Sequence, residues 1–435
     1  MINYMPTLLQ INVTANSGST GKIAEQINQM AQKHGWKTYL AYGRNMQSCK
    51  SELVHVGNKL QVYEHYAEHR LFDNDGLASR IATRKLVKKI EEIKPDIIHL
   101  HNIHDHWINY RILFEYLNTL NIPIVWTQHD CWSFTGGCAH FSQLACNKWI
   151  VGCSKNCPCR NGWAMRKFLN QVEKHYNLKK DLFTATKNLT LVPVSHWLEG
   201  VLSESFLKSK PIKTILNGID MNLFKPIDNL QNSLRKFGLE GVRYVVGVAT
   251  AWSERKGFKD YCRLASQLPD GVKIVLVGLT EKQNQEAAKY GIIGIPRTEK
   301  VSELVALYEG ASIVMNLSYE ETFGLTTVEG FACGTPSIVY NATASPELVL
   351  DSPQKIEHIN LGEPLYVGET GWIVEQGDVA AVAKVISDWV IAIANDSEEE
   401  VKMRKKCRER AKRKFNKEDR FAEYLKLYND LLAKK

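Results

Sequence analysis

The sequence predicts an α/β protein built from two doubly wound domains. At 435 residues the chain is too long for one ordinary core. Its 44% hydrophobic and 23% charged residues are typical of a folded globular protein. Each half alternates short apolar segments with amphipathic helical patterns, which predicts parallel strands joined by right-handed crossovers.

Eight buried strands are predicted, four in each half. The second half also carries a long apolar helical stripe from Val379 to Ile393, and a polar stretch ending at Pro211 suggests a boundary. We therefore predict domains at 1–208 and 209–412, followed by a C-terminal helix at 413–435. The strands are predicted at residues 7–13, 38–42, 96–100, 122–127, 243–249, 273–278, 312–317 and 336–340.

The net charge of +8 is modest, and the basic residues gather in runs at 84–89 and 402–406. These runs predict solvated helix faces or, alternatively, attraction to an anionic membrane. No motif set of a nucleic-acid-binding module is present, so we expect no nucleic-acid partner. The chain starts without the pattern of a signal peptide and has no long apolar span. We therefore expect a cytoplasmic protein, with contact at the inner face of the cell membrane left open.

The segment after the strand at 312–317 is the first candidate site. Gly324 relaxes the backbone near a helix start, where N–H groups and the helix dipole favour a diphosphate. Glu329 could accept hydrogen bonds from ribose hydroxyls, and Glu321 could reach a sugar. The alternative is that both carboxylates are exposed residues near a helix start.

The loop after the strand at 243–249 contains Arg255 and Lys256. Cations at the carboxyl end of a parallel strand suit the neutralisation of a leaving phosphate, because ligands of doubly wound sheets bind there. The alternative is a surface turn with two solvated bases. Beside the glutamate segment, the binding interpretation is favoured.

The first half offers a glycine turn and polar strand ends. Gly18 begins a helix but does not belong to a Walker phosphate loop, because Asn16 and Ile23 break that pattern. His129 ends a strand and could hydrogen-bond a sugar hydroxyl, transfer a proton, or be structural. The run 99–106, which includes Asn102, is predicted to form acceptor-side or structural hydrogen bonds.

Six of the ten cysteines fall between Cys131 and Cys159. In a reducing compartment this clustering favours metal ligation over disulfides. Ordinary thiols, with at most one disulfide, are the alternative. The predicted ligands of a structural zinc are Cys138, Cys146, Cys153 and Cys157.

Two motifs carry a resemblance to a known family. The pattern Glu321-x7-Glu329 around Phe323-Gly324-Leu325, and Asn217-Gly218-Ile219-Asp220 earlier, resemble the signatures of family 4 retaining glycosyltransferases, which have the GT-B fold. The region 129–138 is similar to a subgroup in bacterial exopolysaccharide, capsule and O-antigen assembly, including colanic-acid transferases.

The resemblance implies two Rossmann-like domains facing a central cleft, with the acceptor on the N-terminal domain and the nucleotide sugar on the C-terminal one. The last helix would cross back to the first domain. The donor would be a UDP- or GDP-sugar, the acceptor a glycan or a polyprenyl-linked molecule, and catalysis would need no cofactor. Many members carry an Arg where this chain has Thr250, so Arg255 would supply the second cation.

The resemblance also assigns residue roles. Catalytic roles fall to His129, Glu321 and Lys256, and acceptor-side contacts to Asn102 and Asp130. A nucleotide-sugar epimerase on the same scaffold and a non-catalytic binding module remain alternatives. The predicted donor-binding residues are Arg255, Lys256, Thr322, Phe323, Gly324, Leu325, Glu329 and Gly18.

Overall fold

The computed structural model describes residues 5–159, 170–352 and 362–434. The chain divides into two compact units, one formed by 1–216 with 420–435 and the other by 217–419. The boundary between the units thus falls after Leu216, eight residues beyond the predicted one.

Unit 1 contains a six-stranded, fully parallel sheet in the order β3-β2-β1-β4-β5-β6. This is the strand order of the Rossmann fold, in which the connections reverse direction between β1 and β4. The strands are β1 Thr7–Ile11, β2 Lys37–Tyr42, β3 Glu52–His55, β4 Ile97–Leu100, β5 Ile124–Gln128 and β6 Leu189–Pro193. The helices are α1 Gly18–Lys33, α2 Lys59–Phe72, α3 Arg80–Ile93, α4 Tyr110–Leu117, α5 Lys148–Val151, α6 Val172–Ala185 and α7 His196–Glu204.

Unit 2 contains a seven-stranded sheet in the order β12-β13-β11-β10-β7-β8-β9, parallel except for the β12–β13 pair. The connections between the strands reverse direction between β7 and β10. The strands are β7 Arg243–Val248, β8 Val272–Val277, β9 Ile293–Ile295, β10 Ile313–Asn316, β11 Ser337–Tyr340, β12 Tyr366–Gly368 and β13 Gly371–Val374. The helices are α8 Leu230–Arg235, α9 Phe258–Leu264, α10 Glu281–Ala288, α11 Val301–Glu309, α12 Leu325–Ala332, α13 Ser345–Val349, α14 Val379–Asn395 and α15 Ser397–Phe415.

The last helix, α16 Lys417–Leu432, lies mostly in unit 1. Its apolar face, with Phe421, Tyr424 and Tyr428, is buried with β1 and α1 residues such as Leu8 and Ile23. The core of unit 1 is therefore completed by the end of the chain.

The predicted strands are all present, with ends shifted by at most two residues. The predicted stripe from Val379 is the buried face of α14. Five further strands, β3, β6, β9, β12 and β13, were not among the predicted elements. Within the described ranges, no helix is both long and apolar enough to cross a bilayer.

Candidate functional site

The carboxyl ends of β7 and β10 lie side by side in unit 2. These strands pair in parallel, with Val245 opposite Ile313 and Gly247 opposite Met315. The connections of the sheet reverse between these strands, which is the place where doubly wound sheets bind ligands. The loop after β7 carries Arg255 and Lys256, and the loop after β10 carries Glu321.

Lys256 and Glu321 form an ion pair between these loops. The carboxylate also accepts a 3.0 Å hydrogen bond from the Ser318 hydroxyl. Burial raises the pKa of Glu321, but Lys256, Arg255 and the Ser318 hydrogen bond outweigh it, so the net pKa is lowered. Glu321 is therefore ionised at neutral pH. The side chains of Lys256 and Glu321 are 21% and 14% exposed to solvent, so part of the ion pair is open to a ligand.

The loop after β7 is fixed to the loop after β10 through both the side chain and the backbone of Arg255. Arg255 donates a 2.8 Å hydrogen bond to the Glu320 carbonyl, and its own carbonyl accepts one from the Tyr319 N–H. Gly257 has φ of 72°, and a Cβ there would lie 2.2 Å from the Leu317 carbonyl oxygen. A larger residue at Gly257 would separate the loops, so the ion pair depends on this glycine.

Helix α12 starts at the predicted anion site. Gly324, at its N-cap, has φ of 100°, and no side chain caps this end of the helix. A Cβ at Gly324 would lie 3.0 Å from Leu348 and 3.2 Å from the Asn316 amide. Phe323 is buried against Phe415, whereas Thr322 and Leu325 are partly exposed. The first turn of α12 contains no acidic residue and has no side-chain cap, so its start is suited to binding an anion.

A buried tyrosine orients the carboxylate of Glu329. The hydroxyl of Tyr308 donates a 2.7 Å hydrogen bond to Glu329 Oε2. Glu329 is partly exposed, while Tyr308 is fully buried. The tyrosine fixes the direction of the carboxylate, which suits it to accept hydrogen bonds from paired hydroxyls.

In unit 1, the carboxyl ends of β1, β4 and β5 bring three polar side chains together. His129 Nε2 lies 3.0 Å from His101 Nδ1, and His101 Nε2 lies 2.5 Å from Gln10 Oε1. Burial lowers the pKa of His129 to about 4 and that of His101 well below its usual value. Both rings are therefore neutral near pH 7. Asn102 lies beside them, and its N–H donates to Asn12 Oδ1 at 3.2 Å.

Asp130 is engaged in an ion pair inside unit 1. Its Oδ2 lies 2.8 Å from His104 Nε2, and its Oδ1 accepts the Trp132 N–H at 2.9 Å. Burial opposes ionisation of Asp130, but His104 outweighs it and lowers the Asp130 pKa to about 2. For His104, burial lowers the pKa, but Asp130 and Asp105 raise it well above its usual value. These contacts are the structural hydrogen bonding that was one interpretation of the run 99–106, while the acceptor-side role of Asp130 stays a prediction.

Two glycines at the start of α1 differ in their surroundings. Gly18 has φ of 66° and nothing within 4 Å of a Cβ built on it, so it is exposed and its constraint is backbone conformation alone. A Cβ at Gly21 would lie 2.5 Å from Thr14 Oγ1. Gly21 thus packs closely against Thr14 of the same unit. Donor binding by Gly18 stays a prediction.

The motif Asn217-Gly218-Ile219-Asp220 has a structural role. Ile219 exchanges backbone hydrogen bonds with Phe415 and Lys417, and Lys417 Nζ lies 2.6 Å from Asp220 Oδ2. A Cβ at Gly218 would lie 2.4 Å from the Lys417 Cα. The motif thus holds the chain at the junction of α15 and α16.

The thiols of the cysteine segment lie close together. The thiol of Cys159, which was not among the predicted zinc ligands, has its pKa raised chiefly by the neighbouring thiols of Cys138 and Cys157. Burial, with neighbouring Cys138, Cys157 and Cys146, raises the pKa of Cys153 to about 12. Across the part of the chain that the structure describes, no group of three or more His, Cys, Asp or Glu has the geometry of a metal site. The zinc site stays a prediction, which zinc analysis of the purified chain would test.

Two buried residues with contacts near the candidate sites, Lys179 and Tyr308, were not predicted from the sequence. Lys179 is fully buried, donates to the carbonyl of Trp132 at 2.8 Å, and lies 3.4 Å from the Trp132 ring centroid. Tyr308 orients Glu329 from a separate helix. No local motif marks either residue, because each acts on a side chain far away in the sequence.

Two family models match most of the chain. The model for Glycosyltransferase Family 4 matches residues 24–223, and the model for Glycosyl transferases group 1 matches residues 231–414. The first match covers the strand ends around His129, and the second covers Lys256, Glu321 and Glu329.

Curated relatives are similar over about half of the chain. It is 27% identical over 230 residues to the "Putative colanic acid biosynthesis glycosyl transferase WcaC" of Escherichia coli K12, covering 49% of this chain and 55% of that protein. It is 23% identical over 264 residues to the capsular polysaccharide biosynthesis glycosyltransferase CapM of Staphylococcus aureus, covering 58% and 63%. The matched region thus spans less than two thirds of either relative.

Solved structures are similar over nearly the whole chain. Sucrose-phosphate synthase from Thermosynechococcus elongatus has a TM-score of 0.70 at 17% identity, covering 99% of this chain and 100% of that one. Anabaena HepE in complex with UDP has a TM-score of 0.63 at 16% identity, covering 98% and 100%. At this identity the likeness concerns the fold, which is GT-B.

We predict that acid destabilises the protein through buried histidines of unit 1. Burial lowers the pKa of six of them, so below about pH 6.5 the unfolded chain binds protons that the folded chain does not. The free energy of unfolding should fall toward about pH 4, by up to about 1.4 kcal/mol per pH unit for each ring. These rings are His65, His99, His101, His106, His129 and His175.

Urea unfolding at a series of pH values measures this dependence. His104 does not oppose this fall in stability. The pKa of His104 is raised in the folded protein, and the stability that this adds is already fully present at any pH below the pKa of the unfolded chain. A free energy of unfolding that is constant from about pH 6.5 to about pH 5 would contradict the prediction.

Proposed function

Because the chain belongs to the family 4 glycosyltransferases and has the GT-B fold, we propose that it transfers a sugar from a nucleotide sugar to a glycan or lipid-linked acceptor, with retention of configuration at the anomeric carbon. We further propose that this reaction serves the synthesis of a bacterial surface polysaccharide.

The observation that carries the proposal is the grouping at the carboxyl ends of β7 and β10. Lys256 supplies a positive charge, and the uncapped start of α12 supplies backbone N–H groups. Glu329 supplies a carboxylate oriented by Tyr308. A ligand that fits all three has a negatively charged diphosphate next to neighbouring hydroxyls, which describes a nucleoside diphosphate.

The chemistry follows from this charge arrangement. When the bond between the anomeric carbon and the phosphate oxygen breaks, negative charge grows on the departing diphosphate. Lys256 and the N–H groups of α12 are fixed before the reaction, so they stabilise that charge without reorganising. The ionised Glu321 holds Lys256 in place and is proposed to contact the transferred sugar, as is His129. We propose that these residues perform these roles without a metal ion.

The nucleotide and the pathway are supported by similarity. Anabaena HepE is described in complex with UDP and with UDP-glucose, so UDP is the first nucleotide to test, with GDP second. The names of WcaC and CapM refer to colanic acid and capsular polysaccharide, which supports a surface-polysaccharide role. The resemblance of residues 129–138 to a subgroup in bacterial exopolysaccharide, capsule and O-antigen assembly supports the same role.

We predict that Lys256→Ala lowers the rate of sugar transfer by roughly 10²–10³-fold, because one preorganised charge on the leaving group is lost. Glu329→Ala should chiefly weaken the binding of the nucleoside diphosphate. Transfer from UDP- and GDP-sugars, measured with and without an acceptor, together with calorimetry on UDP and GDP, gives both quantities.

Lys259→Ala is the matched control. Lys259 lies on α9, three residues beyond Lys256, and pairs with Glu254 at an exposed surface, so this variant should behave like the wild type. Near-wild-type transfer by Lys256→Ala would refute the site. Release of an epimerised nucleotide sugar without acceptor would indicate the epimerase alternative, and failure to bind any nucleoside diphosphate would indicate a binding module.

We also propose contact with an anionic membrane through unit 1. Helix α2 exposes Leu60, Tyr63 and Phe72, which are 66%, 70% and 51% exposed. Arg80, at the start of α3, pairs with Glu68 of α2, and the exposed basic residues of the run 84–89 follow on α3. Apolar side chains beside a basic helix suit the interface of a bilayer with anionic lipids.

Vesicle flotation tests this contact. The wild type should float with vesicles that contain phosphatidylglycerol and remain unbound with neutral phosphatidylcholine vesicles. The double variant Leu60→Ser/Tyr63→Ser should lose flotation, whereas Tyr290→Ser, which changes an exposed side chain of unit 2, should retain it. A wild type that does not bind the anionic vesicles would overturn the proposal.

A further inference from the structure

The loop after β10 is tied to the loops that follow three other strands. The N–H of Tyr319 donates a 2.8 Å hydrogen bond to the Arg255 carbonyl after β7, and the Tyr319 carbonyl accepts one from Gln376 Nε2 after β13 at 3.1 Å. The Glu320 carbonyl accepts from Arg255. The backbone contacts of the next residue, Glu321, come from the loop after β11. They determine how its peptide groups are oriented, because backbone polar groups that are mostly buried need partners.

The hydroxyl of Thr343 bonds to both peptide groups of Glu321. Thr343 Oγ1 accepts a 2.8 Å hydrogen bond from the Glu321 N–H and donates a 2.7 Å hydrogen bond to the Glu321 carbonyl oxygen. One hydroxyl can do both, because it carries a proton and lone pairs. The Ala344 N–H donates to the same carbonyl at 3.2 Å. Two residues that lie 22 positions apart are thus joined by a reciprocal pair of hydrogen bonds.

Thr343 makes these bonds from an unfavourable backbone conformation. Its φ is 50°, in the left-handed region, where a β-branched side chain crowds the backbone. Among the non-glycine residues with a positive φ in the ranges that the structure describes, Thr343 is the only β-branched one. Glycine would adopt this conformation without strain. Strain of this kind persists where the surrounding contacts impose it, and it is concentrated at functional sites.

The position of the Glu321 carboxylate follows from the position of this backbone. The carboxylate pairs with Lys256 and accepts a hydrogen bond from Ser318, and the Glu321 side chain is only 14% exposed. A shift of the Glu321 backbone would separate the pair and leave two partly buried charges without each other, which is unfavourable. The hydrogen bonds of Thr343 act directly on the Glu321 backbone and resist such a shift.

We propose that Thr343 is a positioning residue, whose hydroxyl holds the backbone of Glu321 so that the Glu321 carboxylate stays paired with Lys256. This inference rests on the proposed glycosyltransferase function and adds to its donor site a residue that no motif marked. Thr343 acts through Glu321 and Lys256 and has no substrate contact of its own in this role. Its hydroxyl should therefore affect the rate of transfer more than the binding of a nucleoside diphosphate, which the start of α12 and Glu329 are also proposed to hold.

Three substitutions at Thr343 separate the hydroxyl from the backbone conformation. Thr343→Val keeps the shape of the side chain and removes the hydroxyl, Thr343→Ser keeps the hydroxyl, and Thr343→Gly removes both the hydroxyl and the strain. We expect kcat for sugar transfer to fall about tenfold in Thr343→Val and Thr343→Gly, because the Glu321 peptide groups lose their partner. Thr343→Ser should keep a kcat close to that of the wild type. The affinity for UDP or GDP, measured by calorimetry, should change by less than about threefold in each variant.

Thermal unfolding distinguishes positioning from a purely structural role. Thr343→Gly should unfold at a temperature about 2–4 °C higher than Thr343→Val, because glycine adopts a φ of 50° without the strain of a β-branched residue. Activity should not follow this order, since neither variant carries the hydroxyl. A kcat for Thr343→Gly that recovers to the wild-type value would overturn the inference, because relief of strain alone would then have restored the site.

Ser337→Ala is the matched control. The Ser337 hydroxyl donates a 2.8 Å hydrogen bond to the Val314 carbonyl and so also joins β11 to β10, but it does so at the amino end of β11, away from the loops of the site. This variant should lose some stability and keep the kcat of the wild type. A kcat as low in Ser337→Ala as in Thr343→Val would contradict the positioning role, because the loss of any hydroxyl between these strands would then be sufficient.

Hydrogen exchange of the whole chain tests the inference without reference to activity. Exchange of the Glu321 amide, followed by mass spectrometry at single-residue resolution, should be slow in the wild type and in Thr343→Ser. It should be about tenfold faster or more in Thr343→Val and unchanged in Ser337→Ala. Equal exchange in the wild type and Thr343→Val would overturn the inference. A wild type that transfers no sugar would instead refute the proposed function, while exchange at Glu321 would still show whether Thr343 holds this residue.

Discussion

The parallel pairing of β7 with β10 places Lys256 against Glu321, and the other parts of the candidate site depend on this contact. A lysine and a glutamate that are 65 residues apart meet because the sheet reverses its connections between these two strands. Gly257 lets the two loops approach, and the hydrogen bond from Arg255 to the Glu320 carbonyl fixes them together. The start of α12 then follows Glu321 by only a few residues. The pairing register of β7 and β10 thus sets the positions of the Lys256 ammonium group, the Glu321 carboxylate and the start of α12.

Much of the fold could be predicted from the sequence, because buried parallel strands are continuous apolar runs and the candidate loops follow them directly. The strands at β7 and β10 were found in this way, and so were the positions of Lys256, Gly324 and Glu329. Short strands such as β9 and β12, of three residues each, carry too little pattern to be recognised. Their pairing is decided by neighbours in the sheet.

The contacts that orient the site residues could not be predicted, because they depend on strand order. Tyr308 reaches Glu329 from a different helix, and Gln10 reaches His101 across 91 residues. A sequence shows which strand end carries a histidine but not which ring nitrogen holds its proton. Likewise, the motif at 217–220 was identified by resemblance alone, whereas its contact with Lys417 gives it a physical reason.

The most direct test of the account is a crystal structure of the protein with UDP or GDP bound. The account predicts a diphosphate about 3 Å from backbone N–H groups at the start of α12 and from Lys256 Nζ, with the ribose hydroxyls on Glu329. A nucleotide bound elsewhere, or one that contacts neither Lys256 nor the N-terminus of α12, would contradict it.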